Sequence, residues 1–218
     1  MVIAIDGPAA SGKSSTAQWV ARRLGFFHVD SGSLYRALTA VQLEAEQNPD
    51  NWTERTVLAE ANRVTFAPAE RAFIPLLGGE PADDILRGTH VTQFVSRVAV
   101  MPRAREWVND QVRKAARTRD VVVDGRDMGT AVFPDAELKV FLIADPWERA
   151  RRRLVQRLGR QPGDDEIALE TELIVKRDAK DATQTVQAAD AILIDTTFLT
   201  QEDQVERIVA LAKAASQK

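Results

Sequence analysis

Five short apolar runs, at residues 2–5, 26–29, 121–123, 140–144 and 191–194, are each followed directly by an aspartate. None alternates apolar with polar residues, so they do not suit a sheet with one wet face. They suit strands buried on both faces of a parallel sheet. Helical spacing lies between several of them. Ala17, Val20, Ala21 and Leu24 predict a helix from Ser14 to Leu24, stopped at Gly25. Val205, Ile208, Val209 and Ala212 predict a closing helix, with Thr200 and Asp203 in capping positions. This rhythm predicts a doubly wound α/β fold. Ligands of such folds gather beyond the carboxyl ends of the strands, which places Asp6, Asp30, Asp124, Asp145 and Asp195 along one edge. Each has two roles open to it, ligand contact or helix cap. Asp145 and Asp195 stand beside no other motif residue and are expected to cap or to shape loops.

Two segments break the alternation and are read as inserts. In residues 63–85, Val64, Phe66, Phe73, Ile74, Leu76 and Leu77 are interrupted by Pro68, Pro75, Gly78-Gly79 and Pro81, the pattern of an antiparallel flap. Residues 159–184 are polar and charge-dense, and a mobile surface segment is expected there. At 218 residues, 44% hydrophobic and 28% charged, the chain suits one large domain carrying such inserts. Its longest apolar runs fall far short of the roughly 20 residues of a membrane span. The opening MVIAID shows no basic leader, so neither membrane nor secretion is expected, and the protein is placed in the cytoplasm. Without cysteine, disulfides, thiolate zinc sites and thiol nucleophiles are excluded, and His28 and His90 alone are too few for a histidine metal cluster. Chemistry falls to carboxylates, lysine, arginine and backbone amides. A net charge of −3 weighs against nucleic acid as a partner.

Gly7-Pro8-Ala9-Ala10-Ser11-Gly12-Lys13-Ser14, continued by Ser15, matches G-x-x-x-x-G-K-[ST] between the first strand and the first helix. The glycines let the backbone curl so that successive N–H groups, with the helix N-terminus, cradle phosphate. Lys13 would reach the β- and γ-phosphates, and the Ser14 hydroxyl would bind Mg²⁺. A loop of this kind serves kinases, GTPase switches and ATP-driven machines alike. No base-reading or switch motif of a signalling GTPase is visible, and the chain is short for a motor. DSGSLYR at 30–36 and DGRDMG at 124–129 lie on the ligand edge, where Arg36 and Arg126 could fork onto a second phosphate. Between residues 147 and 160, Arg149, Arg152, Arg153, Arg157 and Arg160 fall on one helical arc opposite Ala150, Leu154, Val155 and Leu158, if the helix runs that far. Such an arc is either a solvated face or a set of cations supplied to a transferring phosphoryl group.

The chain resembles the bacterial cytidylate kinases, ATP-dependent nucleoside monophosphate kinases, over essentially its whole length. The resemblance rests on GPAASGKS at 7–14, DSGSLYR at 30–36, SRVAVMPRAR at 96–105, DGRDMGTAVFPDA at 124–136 and KRDAKD at 176–181. It implies an α/β P-loop core with a five-stranded parallel sheet flanked by helices (residues 1–60, 96–156 and 185–218), a small antiparallel acceptor-binding insert (61–95) and a mobile lid (157–184).

By the same resemblance Ser31, Ser96, Arg105 and Asp127 read cytosine, and Arg36, Arg126 and Arg177 hold the acceptor phosphate, with Asp181 and Arg177 meeting the sugar. A carboxylate suits cytosine, whose N4 amino group is a donor where uracil has an acceptor. The family commonly has an arginine near Gln184, whereas this chain has none between Arg177 and Arg207. The implied reaction is ATP + (d)CMP = ADP + (d)CDP. Lys13, Arg126, Arg149 and Arg153 are the catalytic cations, and Mg²⁺ sits on Ser14 with Asp124 acting through water. A monomer with small-molecule partners, ATP and CMP or dCMP, is expected. The rival readings are a P-loop kinase of another small metabolite and a nucleotide-dependent regulatory module without catalysis.

Overall fold

The computed structural model describes residues 1–217, and the chain forms two compact units, Met1–Phe26 together with Val121 onward, and Phe27–Asp120. In chain order the elements are β1 (Val2–Asp6), α1 (Lys13–Leu24), β2 (Phe27–Asp30), α2 (Ser31–Ala45), α3 (Glu54–Ala59), β3 (Val64–Ala69), β4 (Ala72–Leu77), β5 (Glu80–Pro81), α4 (Asp83–Arg87), α5 (Thr89–Ala99), α6 (Pro102–Ala116), β6 (Val121–Gly125), β7 (Leu138–Ile143), α7 (Pro146–Leu158), α8 (Asp164–Asp181), β8 (Ile192–Asp195) and α9 (Gln201–Ala215). All five apolar runs are strands, and the architecture is the expected α/β.

The first unit is built on a parallel sheet in the order β6, β1, β7, β8. Ile3 and Ile5 of β1 lie beside Val122 and Asp124 of β6 and Leu138 and Val140 of β7. The apolar stripe of α1 (Ala17, Val20, Ala21) and that of α9 (Val205, Ile208, Ala212) complete one core with Ile3, Ile5, Val140, Leu142 and Ile194. Each fully buried Ile, Leu or Val contributes about 1.5–3 kcal/mol. Gly25 ends α1 in the left-handed conformation at φ 75°. Thr200 and Asp203 form a capping box that starts α9. Asp145 caps α7 by accepting from the N–H groups of Trp147 and Glu148, while Asp195 accepts from Thr197.

In the second unit β3 and β4 form the expected antiparallel pair, with β5 on β4. Beyond this pair, β4 also runs parallel to β2 through His28↔Ala72 and Val29↔Phe73. Leu34, Leu38 and Val41 of α2 are fully buried, and α2 packs on β4 and α5.

Residues 159–184, read from the sequence as a polar surface segment, are largely helical. Most of them form α8, eighteen residues long, which buries Ile167, Glu170 and Ile174. Ile167 and Ile174 share an apolar cluster with Ala150 and Leu154 of α7. The second of its three inward positions is charged, which breaks the apolar spacing: Glu170, 4% exposed, takes Arg153 at 3.3 Å and Arg157 at 3.2 Å. The arginine arc also ends early. Gly159 stops α7 at φ 67°, leaving Arg160 beyond the helix on Glu166.

Candidate active site

The chain between β1 and α1 turns through three positive φ angles, at Gly7 (153°), Ala10 (57°) and Gly12 (87°). At Gly7 a side chain is excluded twice, by the angle and because a Cβ would lie 2.2 Å from the carbonyl oxygen of Leu142. Ala10 holds a conformation that costs a non-glycine residue of the order of 1 kcal/mol, a strain typical of ligand-binding loops. The first turn of α1 has no acidic residue and no side-chain cap, which suits its N-terminal dipole to an anionic ligand. Ser11 is fully buried, and its hydroxyl has no hydrogen-bond partner among the described residues. Ser15 is turned back to the Gly12 carbonyl.

Cations are anchored on the carbonyls of this loop. Lys13 Nζ donates to Pro8 at 2.9 Å, an Arg126 NH1 donates to Gly7 at 3.1 Å, and an Arg149 NH1 donates to Ala9 at 2.8 Å. Arg149 is 4% exposed, and its Nε is fixed on the Ala144 carbonyl. The C-terminal part of α8 supplies matching carboxylates. Asp178 accepts from the Ala9 amide at 3.4 Å and pairs with Arg149 at 2.7 Å. Asp181 takes Arg126 at 3.2 Å and Arg177 at 3.6 Å. Arg126 Nε is buried with no partner among the described residues.

Lys13, Arg126 and Arg149 thus contact the phosphate loop, and Asp181 with Arg177 joins it through Arg126, while Arg153 faces Glu170 instead. Asp178 and Glu170 were not singled out in the sequence. For Asp178 a signal existed, because a residue three before Asp181 shares its helix face.

The Ser14 hydroxyl donates to Asp124 at 2.5 Å, and Asp124 is 1% exposed. No group of three or more His, Asp or Glu among the described residues could hold a metal ion alone. A hydroxyl beside one carboxylate does fit Mg²⁺, which takes one or two protein oxygens and completes its shell with water and substrate phosphate.

Asp127 follows β6 and is 8% exposed. Asp6, at the end of β1, accepts from the N–H groups of Met128 at 2.9 Å and Gly129 at 2.8 Å. Burial pushes the Asp6 carboxyl from 3.8 up to about 6, and the charge of Asp127 adds to the rise; the two amides and Lys13 oppose it. A carboxyl raised in the folded state favours folding most below its unfolded value, and that contribution is lost as pH climbs through about 6. At 1.36 kcal/mol per pH unit, ionised Asp6 costs the folded protein about 3 kcal/mol. Asp6→Asn should therefore remove up to about 3 kcal/mol from the difference in unfolding free energy between about pH 4 and pH 7, read by urea titration. An identical pH dependence in the two proteins would contradict this.

In the second unit, Asp30 caps α2 by accepting from Ser33, and Ser31, 2% exposed, begins the helix. An Arg36 NH1 donates to the Leu86 carbonyl at 3.0 Å and to Thr92 at 2.9 Å, which ties α2 to α4 and α5. Ser96 lies half-buried on α5, and Arg105 on α6 donates to the Ala99 carbonyl at 3.1 Å.

The family model for cytidylate kinase matches residues 3–214. The cytidylate kinase of Geobacillus kaustophilus is 41% identical over 213 residues, covering 96% of this chain and 95% of that protein. That of Chloroherpeton thalassium is 40% identical over 221 residues, with 97% and 93% covered. In fold, the chain is similar to the crystal structure of an uncharacterized protein from Eubacterium ventriosum, with a TM-score of 0.50, 13% identity and 98% of each chain covered. A phosphate loop strung with cations, in a chain matched from residue 3 to residue 214, belongs to a protein of the cytidylate kinase family.

Proposed function

We propose that the protein transfers the γ-phosphoryl group of Mg-ATP to CMP or dCMP, giving ADP and CDP or dCDP. The observation that carries this reading is the anchoring of Lys13, Arg126 and Arg149 on the carbonyls of Pro8, Gly7 and Ala9, in a chain whose matched relatives are named cytidylate kinase. The bond from the γ-phosphorus to the β–γ bridging oxygen breaks as an acceptor phosphate oxygen attacks in line. That oxygen is already anionic near neutrality, with a second phosphate pKa of about 6, so no general base is needed.

The loop amides and Lys13 hold the β- and γ-phosphates. Ser14, with Asp124 acting through water, would hold Mg²⁺, which would supply a cation to neutralise phosphate charge. Arg149 is pre-aimed by three hydrogen-bonding groups and meets the charge that spreads over the moving group with little reorganisation. Arg153 joins it by exchanging Glu170 for phosphate. Arg126 and Arg177 take the acceptor phosphate, Asp181 a sugar hydroxyl, and Asp127 the cytosine amino group. Within the second unit, Arg36 is assigned to the acceptor phosphate and Ser31, Ser96 and Arg105 to the base. Residues 61–95 are read as the acceptor-binding insert and 157–184 as the lid. Among the described residues no helix is long and apolar enough to cross a membrane. We read the protein as a cytoplasmic monomer acting on small molecules, not on nucleic acid.

A phosphate oxygen that takes the Ala9 amide must displace Asp178. Asp178→Asn keeps the shape and removes the competing charge, so KM for ATP should fall by about twofold to tenfold, at 1.4 kcal/mol per decade. Initial-rate measurements at saturating CMP read this directly, and an unchanged or raised KM would contradict it.

A further inference from the structure

Asp6 gives both of its carboxylate oxygens to consecutive backbone amides, those of Met128 and Gly129. These amides open one turn of π-helix, Met128–Val132, closed by the Phe133 N–H on the Met128 carbonyl at 2.7 Å. Such turns are rare and persist only where their surroundings hold them. The residue before this one, Asp127, gives it no side-chain cap, and the carboxylate from β1 supplies the acceptors instead. Asp127 sits at the joint between β6 and the turn, at φ −144° and ψ 26°, its carbonyl accepting from Thr130 and Ala131. The turn is also closely packed. A Cβ added at Gly129 would lie 3.4 Å from Asp6 Oδ2 and 3.2 Å from Lys139 Cδ.

This carboxylate is an expensive way to tie down a loop. It is 4% exposed and lies near the negative Asp127. Costly buried charges of this kind gather where a site must be held in one geometry.

We propose that Asp6 is a positioning residue for acceptor choice: its two-pronged hold on the 128–129 amides aims the Asp127 carboxylate and thereby sets the preference for cytosine over uracil. The inference rests on the transfer to CMP proposed above. A carboxylate can face two N–H donors because it only accepts. A carboxamide of nearly the same shape brings one acceptor and one NH₂, so one backbone amide is left facing a donor. Asp6→Asn therefore tilts the turn while leaving Asp127 and the phosphate loop chemically intact.

The test measures kcat/KM for CMP and for UMP, and KM for ATP, in the wild type, Asp6→Asn and Gly129→Ala. The alanine Cβ crowds the Lys139 side chain at 3.2 Å and comes into contact with the same carboxylate, so it disturbs the turn from its other side. The CMP/UMP ratio should fall by about tenfold or more in both variants while KM for ATP stays within about threefold. A purely structural role would lower CMP, UMP and ATP parameters together and leave the ratio alone, and that result overturns the proposal. If Asp6→Asn does not fold, as judged by circular dichroism, the ratio in Gly129→Ala decides by the same criterion. A wild type that does not phosphorylate CMP overturns the transfer reading and this inference with it. An active wild type with unchanged ratios in the variants overturns this inference alone.

Discussion

Lys13→Ala should lower kcat for CMP phosphorylation by about a hundredfold to a thousandfold while the protein stays folded, since removing one preorganised charge from a developing oxyanion costs that much. The lysine ammonium lies 2.9 Å from the Pro8 carbonyl, inside the loop whose amides would hold phosphate. Its contact is with charge that grows between the β- and γ-phosphates, so the loss falls on kcat more than on KM. The alanine variant gives up one hydrogen bond to Pro8, about 1 kcal/mol of stability, which a thermal melt would register as a small shift. A variant that is folded and turns over at near wild-type rate would remove Lys13 from the chemistry.

CMP should be preferred to UMP by tenfold or more in kcat/KM, because a hydrogen bond to a charged group is worth about 1.5–3 kcal/mol. Asp127 presents an acceptor where cytosine has its amino donor. Uracil would set a carbonyl oxygen against that carboxylate and leave both unpaired in a nearly closed position, 8% exposed. Asp127→Asn offers a donor as well as an acceptor, so the gap between the two bases should narrow by loss of CMP activity and gain of UMP activity. Equal kcat/KM for the two acceptors in the wild type would sink this assignment.

What the sequence disclosed was local or periodic. The phosphate loop is contiguous, its neighbours are a buried strand and an amphipathic helix, and both recur in the fold. The caps at Asp145 and Thr200 were legible because each contact closes within three residues. What stayed hidden depended on partners distant in the chain. Glu170 is buried because Arg153 and Arg157 neutralise it from α7, and an inward-facing acid interrupts the apolar spacing by which a helix is recognised. The arginine arc reads as one feature in sequence, yet its members separate. Arg149 goes to the loop, Arg152 to Glu148 and the Thr196 carbonyl, Arg153 and Arg157 to Glu170, and Arg160 to Glu166. Asp6 looked like one of five strand-end acids, and only the fold shows it holding the turn beside Asp127.

Transfer to CMP is tested most directly by ADP formation from ATP and Mg²⁺ by the purified protein, measured without acceptor and with CMP, dCMP or UMP. ADP should be negligible alone, rapid and stoichiometric with CDP when CMP is present, the same with dCMP, and much slower with UMP. ADP formation that is indifferent to CMP would contradict transfer to CMP, as would tight ATP binding with no transfer to any of the three acceptors.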